Sequence, residues 1–347
     1  MPEFVVKPYE QIGAAIAGGT AGIGLACAEG LLRAGVPRLV VLGRSEERGR
    51  TATARLAAIA PDASVHHVAA DCRDPHAAAA AIAVAEELTG GLDVLVNSIA
   101  SDVVPEVLVR IRPEEIEETL AKQAVAPMLM TRLVLPLMAE RRGGVIVNVS
   151  SDAAKTATPG EALIGAASAA IKMFSQTVAL EAKRYGIRVN AITPSLVLGT
   201  EGSDRITAGD GFSAKLFTKV AAMADLGVTD AHDQAALVVF LAGPAAARLT
   251  GQAISQRRDL RRIVRTPTLL AGPAAWSKGI RQSPDSYLKE IPRRTRKLVI
   301  APFSIVTSCL VTSATRRSRS VLPAVSTAVL AAASHDSELV PTTSVTR

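Results

Sequence analysis

The sequence predicts an α/β fold, a doubly wound parallel sheet, over residues 1–255, followed by an irregular tail over residues 256–347. Three observations predict it. Short β-branched or apolar runs alternate with longer helical patterns, a spacing that demands right-handed crossovers and parallel strands. Two of the runs, Leu39-Val40-Val41-Leu42 and Val145-Ile146-Val147-Asn148-Val149, are nearly continuous apolar stretches, as strands covered on both faces must be. A glycine turn from Gly18 to Gly24 follows the first run and opens a helical pattern.

Taken in order, strands are expected at 14–17, 38–42, 65–69, 94–97, 145–149 and 188–192. Helices are expected between them, near 23–34, 46–60, 75–89, 113–142 and 160–185. There is no internal repeat. With 48% hydrophobic but only 3% aromatic residues, the core must be packed from Ala, Val, Leu and Ile, which suits a sheet clad in Ala-rich helices.

After Ser255 the periodic pattern stops. Residues 1–255 hold 23 Lys and Arg against 27 Asp and Glu, a net charge of −4. Residues 256–347 hold 16 basic and 5 acidic groups, a net charge of +11, so the basicity of the chain belongs to the tail. The tail reads as a poorly ordered extension; the competing reading is a nucleic-acid or membrane arm built on Arg293, Arg294, Arg296, Lys297 and on Arg316, Arg317, Arg319. The apolar stretch from Leu298 to Val311 is short and holds Pro302, too weak for a membrane span. Cys27, Cys72 and Cys309 lack metal-ligand spacing and read as reduced thiols. The opening residues MPEFVVKPYEQ have neither a basic leader nor an apolar core, so the expectation is a soluble, cytoplasmic protein without nucleic-acid or membrane partners.

The turn Gly18-Gly19-Thr20-Ala21-Gly22-Ile23-Gly24 has the strand–turn–helix context of a Rossmann-type dinucleotide site. Glycines allow a tight turn and close approach of backbone to a pyrophosphate, and the free amides of the helix start favour the anion. At the end of the second strand Leu42 is followed by Gly43-Arg44-Ser45, where NAD-preferring sites of this architecture often carry an acid for the ribose. Arg44 fits a 2′-phosphate instead, or is simply a solvated helix-start residue. NADP is therefore the expected cofactor, with NAD the alternative.

These motifs, in this order, resemble the short-chain dehydrogenase/reductase (SDR) family from about residue 12 to residue 255. Gly18, Gly22 and Gly24 match the family's glycine pattern, with Thr20 and Ile23 between them, and Asp71 matches the acid that contacts adenine. Asn97, in Leu95-Val96-Asn97-Ser98-Ile99-Ala100, matches the first Asn of the family's fourth-strand motif, although the residues that follow differ. Val147-Asn148-Val149-Ser150-Ser151 matches the fifth strand and its catalytic serine. Arg188-Val189-Asn190-Ala191-Ile192-Thr193-Pro194 matches the sixth strand and its loop, with Ser195 where Gly is usual, and Thr200 lies where the family contacts the nicotinamide amide. Leu249 to Ser255 resembles entry into the last strand.

The resemblance implies a Tyr-x-x-x-Lys pair on the helix after the serine. Counted from Ser151, the tyrosine position falls on Ile164 and the lysine position on Ser168; Ala166-Ala167-Ser168-Ala169-Ala170 supports the register. The family's helix Asn falls on Gln123, so Ser151 is the member of the catalytic four that is kept. In the family the tyrosine moves the proton of the substrate oxygen while a hydride moves at the nicotinamide, and the lysine lowers the tyrosine pKa. Losing a positioned acid–base typically costs about 10²–10⁴-fold in rate. Substitutes within reach are Lys172, one helical turn past Ser168, and Asp152 and Lys155 after Ser151; each also reads as a solvated or paired surface group. Tyr185 reads as structural, as do His66 and His67. The segment 200–226 corresponds to a substrate lid, with mobility from Gly202, Gly209 and Gly211; Phe212, Leu216, Phe217 and Met223 either greet an apolar substrate or pack the lid itself.

The expected function is thus an NADP(H)-binding oxidoreductase acting on a small carbonyl/alcohol pair with a degenerate catalytic set. The competing reading is a catalytically inactive NADP(H)-binding sensor or partner subunit. A chain that folds poorly is the third reading, because the family's short last strand and Gly-Gly pair are replaced by Gln256-Arg257-Arg258-Asp259-Leu260. Reverse-translated as CAA CGG CGG GAC CTC, that stretch reads Asn-Gly-Gly-Thr in a second frame, so the tail is a candidate frameshift product; gene codons incompatible with Gly-Gly there would sink that idea. The resemblance also implies a homo-oligomer through the helices at 113–142 and 160–185.

Overall fold

The computed structural model describes residues 4, 6–99, 103–222, 224 and 226–256. Ala100, Met223, Cys309, Leu298 to Val311, the arginine clusters and the candidate frameshift product beyond Gln256 lie outside the described residues. Within them the chain runs β1 (Gly13–Ala17), α1 (Gly22–Arg33), β2 (Arg38–Gly43), α2 (Glu46–Ile59), β3 (Ser64–Ala69), α3 (Pro75–Thr89) and β4 (Val94–Asn97). It continues through α4 (Glu114–Leu120), α5 (Ala126–Glu140), β5 (Gly144–Val149), α6 (Ala162–Ala182) and β6 (Ile187–Ile192). Then follow β7 (Val197–Leu198), α7 (Glu201–Thr207), α8 (Phe212–Ala222), β8 (Thr229–Asp230), α9 (Ala231–Ala242) and β9 (Ala253–Ile254).

Seven strands form one sheet in the order β3-β2-β1-β4-β5-β6-β9, and every pairing is parallel. The order reverses between β1 and β4, which pair from Ala14↔Val94 to Ala17↔Asn97. Alternation of side chains along each strand builds two cores. Ala14, Ile16, Val41 and Val96 face α1, α2 and α9, whereas Ala15, Ala17, Leu42 and Leu95 face α3, α5 and α6. The doubly wound α/β class expected from the sequence is the one observed.

Local signals account for several helix ends. Ser45 and Asp74 cap α2 and α3 by accepting from the amides of Arg48 and Ala77, and Gly90 closes α3 in the left-handed region. Capping boxes start α7 at Thr200 and α9 at Asp230.

The single helix expected at 113–142 differs in detail. It is α4 and α5 joined by a π-helical segment, Ala121–Val125. Pro127 has no N–H to give the Gln123 carbonyl, and the helix widens at that turn. The helix expected at 160–185 is α6 with a 3-10 turn, Lys183–Tyr185, at its end. By length and mean hydropathy the stretch Ala162–Tyr185 is apolar enough to cross a membrane. Its Ala167, Ile171, Val178, Ala179 and Ala182 are nonetheless buried within the fold, the pattern of a core helix.

Candidate functional site

Parallel sheets place their ligand crevices at the carboxyl ends of the strands, beside the point where strand order reverses. Here that point is the turn after β1. Gly18 N and Gly19 N both donate to the Leu42 carbonyl, at 2.9 and 3.3 Å, which bends the chain sharply toward α1. Gly18 and Gly22 have φ of 77° and 52°, in the left-handed region. A Cβ on Gly18 would strike the Ser98 carbonyl, and one on Gly24 would strike the Gly18 carbonyl, so both glycines are required by packing. Gly22 is different: its nearest neighbour would be the Thr200 methyl, 3.7 Å away, which leaves a cradle over the start of α1. The N-cap of α1, Ala21, offers no side-chain acceptor to the first turn. Uncapped amides facing such a cradle fit a phosphate.

Thr20 rests against Gly43, where a side chain on residue 43 would meet its methyl at 3.0 Å. The next residue, Arg44, is exposed at the end of β2. Asp71, after β3, is bound by Arg73 through Nε–Oδ1 at 2.8 Å and Nη2–Oδ2 at 2.5 Å. Hydrogen bonding to Arg73 is the main cause that holds the Asp71 carboxyl down at about 2; the charge of Arg44 adds to it. Across the turn, Arg48 pairs with Glu201 at 3.1 Å, and Thr200 hangs over Gly22. Residues 18–24, Thr20 and Ile23 among them, are thus brought together with Arg44 and Thr200, while Asp71 sits within electrostatic reach of Arg44.

Asn97 ends β4. Its side chain is fully buried, and its amide donates to Asn148 Oδ1 at 2.8 Å, Thr131 Oγ1 at 3.3 Å and the Pro127 carbonyl at 3.4 Å. Asn148 in turn donates to Ser175 Oγ at 2.8 Å. This buried polar chain ties β4, β5, α5 and α6 below the site and needs every member, because an unpaired amide in the core costs about 1–3 kcal/mol. Asn148 and Ser175 were legible only as polar residues inside apolar runs.

A second group lies at the ends of β5 and β6. Ser151 caps a 3-10 turn, Asp152–Ala154, by accepting from Ala153 N at 3.2 Å, while Ser150 Oγ donates to the Ser168 carbonyl at 2.9 Å. The first turns of α6 lie against this turn, so closely that a Cβ on Gly165 would be 3.1 Å from the Ala153 carbonyl. Ile164 and Ser168 therefore flank the serines, Ile164 partly and Ser168 fully buried. The π segment that carries Gln123 packs through Ala124 onto Ala167 and Ile171 of the same helix.

Asp152 and Lys155 are drawn toward β9. Ser255 Oγ donates to Asp152 Oδ1 at 3.0 Å, and the Lys155 ammonium donates to Ser255 and, at 3.3 Å, to the Ala253 carbonyl. Asp152 N donates to the Pro194 carbonyl at 2.8 Å, which fixes buried Pro194 beside the serine turn. Lys172 is partly exposed on α6. Tyr185 stacks under the Arg184 guanidinium, 5.4 Å away, His66 bonds Ser64 and His67 approaches the Gly43 carbonyl from β3.

Ser151, Ser195 and Glu161 line a small pocket, closed from above by Leu216, Phe217 and Val220 of α8. It has about 20 Å³ of open space, room for about one water. Burial pushes the Glu161 carboxyl up to about 7; Asp152 adds to the rise and a hydrogen bond from Thr158 opposes it. Sequence reasoning missed Glu161, because the burial that raises its pKa is made in part by residues distant in the chain. A larger cavity of about 220 Å³ sits at the opposite, amino-terminal edge of the sheet, among Ile12, Asp93, Arg141 and Arg188. Several of its charges are engaged: Asp93 pairs with Lys7, Arg141 with Glu86, and Arg188 donates to four carbonyls at the end of α9.

Comparison with known proteins completes the picture. A family model described as short chain dehydrogenase matches residues 13–210. The chain is 32% identical over 249 residues to a 2,3-dihydroxy-2,3-dihydro-p-cumate dehydrogenase of Pseudomonas putida, covering 72% of this chain and 93% of that one. It is 30% identical over 244 residues to the human dehydrogenase/reductase SDR family member 4, covering 70% and 84%. Among solved structures, an actinorhodin polyketide ketoreductase variant with NADPH superposes with a TM-score of 0.65 at 26% identity, over 73% of this chain and 97% of that one.

Proposed function

The chain belongs to the short-chain dehydrogenase/reductase family, and on that premise we propose that it is an NADP(H)-dependent oxidoreductase interconverting a small carbonyl compound and its alcohol. Members of the family bind a nicotinamide dinucleotide. The observation that carries the NADP reading is the pairing of the Gly22 cradle with an exposed Arg44 at the end of β2, where no carboxylate stands. When bound, the cofactor supplies or accepts the hydride. The chain's own residues would hold and orient it: the amides of residues 22–24 would take the pyrophosphate, Arg44 the 2′-phosphate, Asp71 the adenine, and Pro194 and Thr200 the nicotinamide end. Asn97 keeps the floor of the site rigid. Ser151 binds the substrate oxygen, and Gln123 organises water or the helix.

In this reading positions 164 and 168 are those of the family's tyrosine and lysine, and Ile164 and Ser168 cannot take over their proton transfer. That observation favours one competing reading, an NADP(H)-binding sensor or partner subunit without turnover. We place the protein in the cytoplasm and take it as a homo-oligomer.

Titration of NADPH and NADH by cofactor fluorescence tests the binding half. Arg44→Ala is expected to weaken NADPH by about 10- to 100-fold and leave NADH unchanged; equal losses for both cofactors overturn the NADP assignment. Reduction of 9,10-phenanthrenequinone by NADPH tests turnover. A parent without activity whose Ile164→Tyr/Ser168→Lys variant gains it is the sensor's signature.

A further inference from the structure

We propose that Glu161 is the proton-transfer group of this site, taking the place of a tyrosine one helical turn further along α6. The inference rests on the oxidoreductase reading above. It stands on the shared pocket: Glu161 lines the same small cavity as Ser195 and as Ser151, which the reading above assigns to the substrate oxygen. Glu161 is the N-cap of α6, three residues before Ile164, and its carbonyl accepts from Gly165 N at 2.7 Å, which ties it to the first turn of the helix. Gly160 fixes its direction. With φ of 85° the chain turns there, and the Phe212 ring packs so closely on Gly160 that no Cβ would fit.

The surroundings suit a carboxylic acid rather than a carboxylate. From α8, Leu216, Phe217 and Val220 present apolar surface to the pocket. From the serine turn, Asp152 faces Glu161 with like charge, and Lys155, 3.9 Å from Asp152 Oδ1, is engaged by Ser255. From β6 onward comes the neutral Ser195, and Thr158, which opposes the rise, lines the pocket as well. Burial against this lid raises the group to about 7, so near neutrality both of its protonation states are populated. A group poised at the working pH is the best compromise between donor strength and availability.

In the reductive direction the carbonyl carbon accepts a hydride from a dihydronicotinamide, and the π pair moves onto oxygen. That oxygen takes the proton from the Glu161 carboxyl as the new O–H bond forms, leaving an alcohol and a Glu161 carboxylate. The carboxylate regains its proton from water. Oxidation of an alcohol runs the same bonds in reverse.

The test combines a titration that needs no turnover with kinetics on a defined probe. In protein labelled with ¹³C at glutamate carboxyls, one resonance is expected to titrate near 7 and to vanish in Glu161→Gln. With saturating NADPH and 9,10-phenanthrenequinone, the parent rate is expected to fall as pH rises through 7. Glu161→Gln should lower kcat by about 100- to 10,000-fold while NADPH affinity by fluorescence stays within twofold. Glu161→Asp should recover part of the rate. A parent that turns over while Glu161→Gln matches its rate and pH profile overturns the proposal alone, as does a Glu161 resonance titrating near 4.5. A parent that binds NADPH but reduces no quinone overturns the oxidoreductase reading and the Glu161 role with it.

Discussion

At the scale of single residues the site is a set of charges displaced from their ordinary behaviour by neighbours. Glu161 is raised to about 7 by burial and Asp71 is lowered to about 2 by Arg73. The raised carboxyl has a consequence for stability. The native state holds the Glu161 proton between 4.5 and 7 while the unfolded chain has released it, so stability contributed below 4.5 is lost as pH rises toward 7. A shift of that size corresponds to at most about 3 kcal/mol. Thermal melts at pH 5 and pH 8 should therefore show Glu161→Gln relieved of part of the parent's loss at the higher pH. An identical pH dependence in both proteins would mean that Glu161 is not held neutral. Asp71 acts in the opposite sense, its contribution being present above about 4 and lost as pH falls toward 2, but it is a third exposed and solvent weakens the effect.

At the scale of elements, the glycine turn and the lid do different work. Gly24 lies where α1 leaves the turn, and a methyl there meets backbone rather than a flexible side chain. Gly24→Ala is expected to shift α1, lower stability by about 2 kcal/mol or more and abolish detectable NADPH binding. Calorimetry beside the fluorescence titration would check it; intact binding would show that the turn has room to relax. The lid shows why the apolar residues at 212–217 have a structural task. Leu216 and Phe217 pack with Leu196 and Val220 into their own small core, which also closes the pocket over Ser151 and Glu161. The closed pocket holds about one water, so the raised Glu161 pKa belongs to the closed arrangement, and a bound substrate must take the place of the α8 side chains in keeping water from the carboxyl.

At the scale of the whole molecule, the described residues leave apolar side chains exposed on the helices expected to join subunits. On α6, Met173 and Leu180 are 60% and 66% exposed and lie two turns apart on one face, and Ile116 of α4 is exposed as well. Methyl and thioether groups in water on one face favour association with a like surface. Met173→Glu/Leu180→Glu is expected to lower the oligomeric state seen by analytical ultracentrifugation without loss of NADPH binding. A parent that sediments as a monomer at micromolar concentration would remove the homo-oligomer from the reading.

The sequence by itself determined the doubly wound class, the parallel strands, the glycine turn and its helix, because these rest on local rules: period, turn chemistry and the absence of a Cβ. The glycine turn's chain neighbours suffice to specify its shape. The widening of the helix at Gln123 was also written locally, in Pro127, although the reading as one helix passed over it. Other features depended on residues far apart in the chain. Asn97 reads in sequence as a match to the family's fourth-strand motif, and only the fold puts its amide within bonding distance of Thr131 and Asn148. Glu161 reads as an ordinary acidic residue before a helix. Its pKa is raised by burial in a pocket that α8, some fifty residues later, helps to line, and desolvation is a property of the folded pocket that no local pattern encodes.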